Sequence, residues 1–289
     1  MDPTTSGRFR VHNRRPRPDM GGTAVRGASD PENRPDEPAA DHTPEEFILV
    51  PLPADAIDPD DPDAADQFDP IYVTAAGYDA TGSSALADRV QTLKPGYVVD
   101  ATLAWSDGSA RFRDVTVVRE TRFRFADEVT GMFEAAVDAW QQIRADGEAV
   151  GSITTRSNDG DPNGALYLFA DAPGGDAFDD LRDGRLPIEP LIGRVNATLD
   201  ETNAADGDPR EVFVLQPAAH SFVAVYVVFD RDGVLAQTVR DTYGLGPGLA
   251  AGLDSTNQPA GSENTGDSAE TGSSADTGDS DEFDALDRL

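Results

Sequence analysis

The chain has 289 residues, which is enough for two modest domains. It carries 54 acidic and 23 basic residues, for a formal charge of −31, and Lys94 is its only lysine. It has no cysteine, which excludes a disulfide framework, a CxxC metal site and a thiol nucleophile. No apolar run approaches the ~20 residues of a membrane span, and no apolar segment follows Met1 as in a signal peptide.

The acidic balance predicts a halophilic host. At ordinary ionic strength a charge of −31 would strain a compact fold by self-repulsion. At molar salt the Debye length falls to ~3 Å, which screens most of that repulsion. Abundant aspartate with almost no lysine favours a salt-adapted cytoplasmic protein over an acidic protein of ordinary cells. The acidity therefore says little about partners, and local departures from it are more informative.

Residues 1–126 predict a small β domain. Its first three strands are expected at Ser6–Val11, Phe47–Leu52 and Ile71–Thr74, and a short helix is expected at Ser84–Thr92. Between the first two strands, residues 12–45 are rich in Pro, Gly, Arg and Asp and lack apolar periodicity. Because such a segment buries too little to offset the entropy of ordering, we predict a disordered insertion there.

A hairpin completes this domain. Tyr97–Trp105 alternates apolar and polar side chains, Ser106–Ser109 has the composition of a hairpin turn, and Phe112–Phe125 returns as a strand. Three strands, a short helix and two more strands is the order of an OB-fold, a five-stranded Greek-key barrel. We therefore predict an OB-like barrel, with another small β-rich domain as the alternative.

Residues 127–246 predict an α+β domain of two strand-strand-helix units. In the first unit, strands at Ser152–Ser157 and Ala165–Ala170 flank an Asp-Gly-Asp-Pro-Asn-Gly turn, and helices follow at Asp176–Arg182 and Ile188–Leu199. An amphipathic helix precedes them, which we expect Asp127 to cap. The economical arrangement is a four-stranded, mainly antiparallel sheet packed with helices.

The second unit, Arg210–Gly244, reads as strand, turn, strand, turn and helix. Both alternating faces of Phe222–Phe229 are apolar, which is typical of a central strand covered on both sides. Residues 247–289 are rich in Gly, Ser, Thr, Asp and Glu, so we predict a disordered acidic tail. Its last seven residues, Phe283–Leu289, have apolar residues at three-residue spacing and leave a short docking helix as an alternative.

Five segments spread over residues 1–245 resemble a family of uncharacterised haloarchaeal proteins. The resemblance implies a halophilic cytoplasm, and it implies no activity, site or functional residue, because the family has none assigned. Residues 12–45 and the tail look like additions to the family pattern. The segments are Ser6–Val11, Lys94–Trp105, Asn163–Phe169, Arg210–Pro217 and Thr238–Tyr243.

Two polar motifs have ordinary structural explanations. Asp159–Gly164 matches the start of a calcium-binding EF-hand loop, but position twelve is Ala170 and strands flank the loop, which favours a hairpin turn. His220 would be the base of a Ser-His-Asp triad, yet no nucleophile motif accompanies it. We therefore expect no metal and no cofactor, and enzymatic activity is the less favoured interpretation.

A run of arginines is the strongest local departure from the acidic background. The functional hypothesis is a nucleic-acid or anion surface on an OB-like barrel, with two aromatic rings available for stacking. The alternative is that these arginines pair with the acidic loops and with the second domain. The candidate site residues are Arg111, Arg113, Arg119, Arg122, Arg124, Tyr97 and Phe112.

We therefore predict a non-enzymatic binding or adaptor protein whose first domain contacts nucleic acid or a protein partner. One alternative is a small-molecule enzyme with a site between the domains, near His220. The other is a structural or assembly protein that joins others through its tail or through an uncovered sheet edge. No membrane partner is expected, and the sequence gives no oligomeric state.

Overall fold

The computed structural model describes residues 3–17, 44–53, 66–78, 84–106, 108–171, 175–200 and 209–246. The predicted tail and most of the predicted insertion lie outside the described residues. The described chain is mixed α+β, with two β-sheets that follow one another in sequence. None of the helices in these ranges combines the length and the apolar character that crossing a bilayer requires.

The first sheet is a closed ring of five strands. In the ring they follow the order β1-β2-β3-β5-β4, and β1 closes it by pairing antiparallel with both β2 and β4. β3 runs parallel to β5, and the helix α1 (Ser84–Gln91) lies between β3 and β4 in sequence. The predicted strand number and the predicted helix are confirmed. The strands are β1 (Thr4–Pro16), β2 (Glu45–Pro51), β3 (Ile71–Thr74), β4 (Val98–Ser106) and β5 (Ser109–Arg119).

The interior of the ring is filled by the apolar side chains that alternate along its strands. Val99, Ala101 and Leu103 of β4 point inward, as the sequence predicts for this strand. Phe112 of β5 is also inside, where its ring lies 6.0 Å from that of Phe47. α1 covers one end of this core with Leu86, Ala87 and Val90.

β1 is longer than the sequence predicts. Residues 12–16 belong to this strand rather than to an insertion, and His12 is completely buried. The segment reads as polar and irregular because its side chains are not buried in the ring. His12 and Asn13 are buried against the helix Ala177–Arg182 of the second half of the molecule, and that partner cannot be read from local periodicity.

The second sheet has five strands in the order β6-β9-β10-β8-β7. β6 runs parallel to β9, and the other neighbours are antiparallel. All seven residues of β10 are buried, which confirms a central strand covered on both faces. The strands are β6 (Arg122–Val129), β7 (Val150–Arg156), β8 (Pro162–Ala170), β9 (Glu211–Pro217) and β10 (Phe222–Val228).

Helices pack on both faces of the second sheet. α2 (Glu134–Ala145) and α5 (Val234–Thr242) cover one face, and α3 (Ala177–Arg182) and α4 (Glu189–Asp200) cover the other. This arrangement confirms the helices predicted after β8 and β10. α2 begins later than predicted, because Asp127 still belongs to β6 and the residue that precedes the helix is Phe133.

The predicted strand from Phe112 to Phe125 is wrong as a single element. The chain leaves the first sheet after Arg119 and starts β6 of the second sheet at Arg122. No glycine or proline marks the change, so the sequence reads as one strand. β6 adds a fifth strand to a sheet for which four were predicted, and the predicted boundary near Ala126 falls inside it.

Candidate binding groove and nearby arginines

The three predicted arginines of β5 have different surroundings. Arg111 donates from Nη2 to the carbonyl oxygen of Gly77 at 2.7 Å, and its guanidinium lies 5.0 Å from the centre of the Tyr78 ring. Arg119 is half-buried next to Val98 in the register of β4 and β5. Arg113 is exposed and makes no hydrogen bond, ion pair or ring contact with another described residue.

The other two predicted arginines belong to β6 and therefore to the second sheet. Arg124 donates from Nε to Glu211 at 2.8 Å, and Arg240 binds the same carboxylate from α5. Glu211 is completely buried, so its charge is compensated by two guanidinium groups. The Arg122 guanidinium lies 4.9 Å from the Tyr97 ring, across the contact between the two sheets. These two side chains join structural elements and do not extend the surface of β5.

The two predicted stacking residues are inside the protein. Phe112 is 4% exposed and belongs to the ring interior. Tyr97 is 6% exposed, and burial raises the pKa of its hydroxyl while the neighbouring Arg122 lowers it. Both rings are therefore buried in this structure, and the predicted nucleic-acid surface stays a prediction.

β1 carries a second set of arginines that the sequence interpretation placed largely in the insertion. Each of them pairs with a carboxylate, and the partners come from β2, β4, α4 and the turn after α3. The sequence contained one indication that these arginines point outward from the ring. Arg8 and Arg10 alternate with Phe9 and Val11, whose apolar side chains mark the inward face of β1. The pairs are Arg8–Asp100, Arg10–Glu189, Arg14–Glu45, Arg15–Glu46, Arg15–Asp183 and Arg17–Glu46.

The middle of β1 forms the contact between the two sheets. The Arg10 Nε donates to both carboxylate oxygens of Glu189 at 2.7 and 2.9 Å, and both side chains are 5% exposed. His12 donates from Nε2 to the carbonyl oxygen of Leu181 at 2.6 Å. Desolvation lowers the pKa of His12, because burial penalises the imidazolium more than this hydrogen bond supports it. The contact thus holds a buried ion pair and a buried histidine, whose Nδ1 has no hydrogen-bond partner among the described residues.

This contact also covers the outer face of β2. Phe47 and Leu49 point into the ring, so Ile48 and Val50 point outward by alternation. Both outward side chains are nevertheless completely buried. A Cβ at Gly184, in the turn after α3, would lie 3.3 Å from Ile48. The second half of the chain therefore occupies the outside of the ring at β2.

The groove lies beside this contact, on the outer surface of β1, β4 and β5 around Arg8. Its volume is about 850 Å³. Gly7 and Ala101 are among its small lining residues, and Leu52 and Pro53 at the end of β2 are its apolar ones. Its polar lining consists of three hydroxyl groups, one guanidinium and two carboxylates, which belong to Ser6, Thr102, Thr116, Arg8, Asp100 and Asp114.

Charged groups in the groove are paired but open to solvent. Arg8 binds Asp100 through two hydrogen bonds of 2.8 and 3.1 Å, and each side chain is about half exposed. The bond from Arg8 lowers the pKa of Asp100, so this carboxylate is ionised. Asp114 is 61% exposed and accepts from Arg89 through one oxygen, which leaves its second oxygen accessible. The three charged lining residues give the groove one net negative charge.

His220 is remote from both of these regions. β6 starts beside the first sheet, where the Phe123 amide donates to the carbonyl of Pro95, and it ends beside Pro217. At ~3.3 Å per residue, β6 separates His220 from the first sheet by roughly 20 Å. The imidazole is exposed and stacks on Phe222 at 5.7 Å. An enzyme site near His220 therefore does not coincide with the contact between the sheets, and enzymatic activity remains a prediction.

Within the Asp159–Gly164 motif, residues 159–161 lie in the turn between β7 and β8, and residues 162–164 begin β8. The Ser157 amide donates to the carbonyl of Asp161, and the Gly160 amide donates to the carbonyl of Ser157. These bonds are those of a hairpin connection. Among the described residues, no three His, Asp or Glu side chains come together as a metal site.

Comparison with known proteins places the chain in a sequence family. The profile described as "Family of unknown function (DUF6663)" matches residues 1–251. No curated protein and no solved structure matches the chain. The groove, the β5 arginines and the contact between the sheets all lie inside the matched range.

Proposed function

We propose a binding role for this chain, which belongs to the family of unknown function DUF6663. In this proposal it is a non-enzymatic binding or adaptor protein, and its ligand is an extended segment of a protein partner. The groove on β1, β4 and β5 holds that segment. The observation that carries the proposal is an open concave surface with hydrogen-bond donors, acceptors and an apolar wall.

We infer that the first sheet is an OB-like barrel. The ring of five strands, with α1 between β3 and β4, supports this inference. OB-folds bind oligonucleotides on the face of strands 2 and 3 and with the loops after strands 1 and 4. In this chain the outer face of β2 is buried, and only residues 107 and 108 separate β4 from β5. The groove is therefore the better candidate than the usual OB-fold face.

The groove chemistry favours a polypeptide over a polyanion. The one guanidinium in the lining is already paired with Asp100, so the groove offers phosphate groups no free cation, whereas peptide groups and polar side chains find both donors and acceptors. A cationic side chain of the partner can bind the free oxygen of Asp114, because Asp100 is already held by both bonds from Arg8.

Nucleic-acid binding is the second candidate function. The observation that favours it is the exposed guanidinium of Arg113, on the same strand as Arg111 and Arg119. Without an exposed aromatic platform at Phe112 or Tyr97, this surface relies on charge alone. Because charge-based binding weakens as salt rises, such a site would be strongest at low ionic strength.

Two variants test the groove. Thr116→Trp places a large ring in the groove, and Gln141→Trp places the same ring on an exposed turn of α2 as a matched control. Each protein, and the wild type, is purified from its own cells in molar KCl, and co-purifying proteins are identified. We expect a protein retained by the wild type and by Gln141→Trp to be lost from Thr116→Trp. If all three proteins retain the same partner equally, the partner does not bind in the groove.

Nuclease treatment separates the two candidate functions. If material absorbing at 260 nm is released by nuclease from the wild type, and is reduced in Arg111→Gln with Arg113→Gln and Arg119→Gln, the nucleic-acid function replaces the polypeptide function. If the spectrum is that of protein alone, the polypeptide function stands.

We also infer a haloarchaeal source and a salt-rich cytoplasm. Support comes from the charge of −31 and from the single lysine among 23 basic residues. The expected result is a free energy of unfolding that rises steeply with KCl concentration, since screening reduces repulsion among the carboxylates. A free energy that does not depend on KCl would contradict the inference.

A further inference from the structure

The two edges of the second sheet differ in how they are protected. At one edge, β6 has an irregular register between Ala126 and Val129, and Glu128 adopts a positive φ of 51°. Asp127 and Glu128 are exposed at this irregularity. Bulges and charged side chains are the features by which natural sheets prevent an edge from pairing with another chain. The β6 edge is therefore protected.

The opposite edge, β7, has neither feature before its last residue, Arg156. Its pairing with β8 is regular from Val150 to Thr155, and the one shift falls at Arg156. The strand contains no acidic residue, in a chain where 54 of 289 residues are acidic. Arg156 is its one charged residue. An identical edge would therefore not be repelled, although the chain as a whole carries a charge of −31.

The hydrogen-bonding groups of this edge point outward at alternate residues. The Ala170 amide donates to the carbonyl of Ala149 at 2.7 Å, which fixes the pattern of the β7–β8 pair. Because bonded and non-bonded pairs alternate in an antiparallel ladder, the backbone groups of Val150, Ser152 and Thr154 point away from β8. The side chains of these three residues are also exposed.

We propose that the β7 edge pairs antiparallel with the β7 edge of a second copy of this chain. A two-fold axis at Ile153 places Ser152 opposite Thr154 of the other copy and Val150 opposite Arg156. This register bonds every outward amide and carbonyl from Val150 to Arg156. It joins the two second sheets into one sheet of ten strands, which lies within the size of natural open sheets.

Charge complementarity supports a second copy as the occupant. Extending this register by two residues places Arg156 diagonally across from Glu148 of the other copy, an exposed residue that lies just before β7. Such diagonal positions are ~7–8 Å apart, which long side chains can span. The pair occurs twice because of the symmetry. Within its own chain Arg156 donates from Nη1 to the carbonyl oxygen of Gly160. Because this bond uses one nitrogen of the guanidinium, the others are left to bind Glu148.

The test uses two charged double variants of the full chain. Ser152→Glu with Thr154→Glu places carboxylates opposite carboxylates across the axis, and Ser152→Lys with Thr154→Lys places ammonium groups opposite each other. Light scattering coupled to size exclusion in molar KCl measures the mass across a wide range of concentration. We expect twice the 30.7 kDa chain mass for the wild type. We expect the dimer Kd to rise about a hundredfold or more in each variant, since like charges meet directly.

A mixture of the two variants restores the pairing if the edges face each other. Each introduced carboxylate then lies opposite an ammonium group, and we expect the mixture to form dimers that neither variant forms alone. The matched control is Gln141→Glu with Gln237→Glu, which adds two charges at exposed helical positions. We expect that control to remain dimeric. Native mass spectrometry identifies the mixed dimer by its mass.

Three results would overturn the proposal. A wild-type chain that is monomeric at every concentration has no such interface. A dimer that persists in both double variants forms through another surface. A monomer that dimerises only after residues 247–289 are removed would assign the edge to the chain's own tail.

Discussion

Arg8 and Arg10 are two residues apart on the same face of β1, and each pairs with one carboxylate. The Arg8–Asp100 pair is about half exposed in the groove, whereas the Arg10–Glu189 pair is 5% exposed between the sheets. Water can replace the partner of Arg8 but not that of Arg10. The comparison teaches that one strand carries two kinds of ion pair, one suited to binding and one required for the docking of the two sheets.

Removing the buried carboxylate is expected to have the largest effect. Glu189→Gln leaves the Arg10 guanidinium buried without an opposite charge, and we expect a loss of about 3–5 kcal/mol in the free energy of unfolding. Chemical denaturation in molar KCl measures it. The double variant Arg10→Met with Glu189→Met removes both charges and should recover most of the loss. If Glu189→Gln costs less than ~1 kcal/mol, the pair is not buried in solution.

A side chain at Gly96 is expected to disturb the same contact. Gly96 has a φ of +94°, and a Cβ there would lie 2.5 Å from the backbone nitrogen of Phe123 at the start of β6. Gly96→Ala combines backbone strain with a clash against main-chain atoms, so we expect a loss of about 2–4 kcal/mol. Thermal or chemical unfolding measures this loss. Gly108→Ala is the matched control, because it has a similar positive φ and open space around it.

His12 predicts how the docking of the sheets depends on pH. Its pKa in the folded protein is lowered by burial, so below pH ~6.5 the unfolded chain binds a proton that the folded chain does not. Stability should therefore be lost as pH falls through this range, at about 1.4 kcal/mol per pH unit at most. His12→Gln keeps an Nε2 donor for Leu181 and should flatten the profile between pH 6.5 and ~5. An unchanged slope would show that His12 does not titrate with unfolding.

The exposed pair is expected to have the smallest effect on stability. Arg8→Ala should change the free energy of unfolding by less than about 1 kcal/mol, since an exposed ion pair gains little over water. The same variant should weaken ligand binding, because Arg8 and Asp100 line the groove. Denaturation and partner retention are measured on one preparation. If Arg8→Ala lost much stability but still retained the partner, Arg8 would be a structural residue and not a binding residue.

The sequence by itself predicted most elements of the fold. Apolar residues repeat every two residues in a strand and about every 3.6 residues in a helix that has one buried face. These repeats predicted the ring strands, β8, β10 and the helices that follow β8 and β10. The double apolar face of β10 also predicted its central position. The composition excluded disulfides and thiol chemistry, and the alternation of β4 predicted which of its side chains fill the ring.

The tertiary structure decided which sheet each strand joins and which polar residues are buried. Residues 112–125 contain no glycine or proline, so only the pairing of β6 with β9 shows that the chain changes sheets near Glu120. His12 and Asn13 look like loop residues because their burial depends on α3, which lies far away in sequence. For the same reason the sequence singled out the β5 arginines and missed those of β1. The spacing of apolar residues predicts burial only when a residue packs against neighbours close in sequence or against a regular sheet or helix face. The contact between the two sheets is formed by residues that are distant in sequence and irregularly spaced.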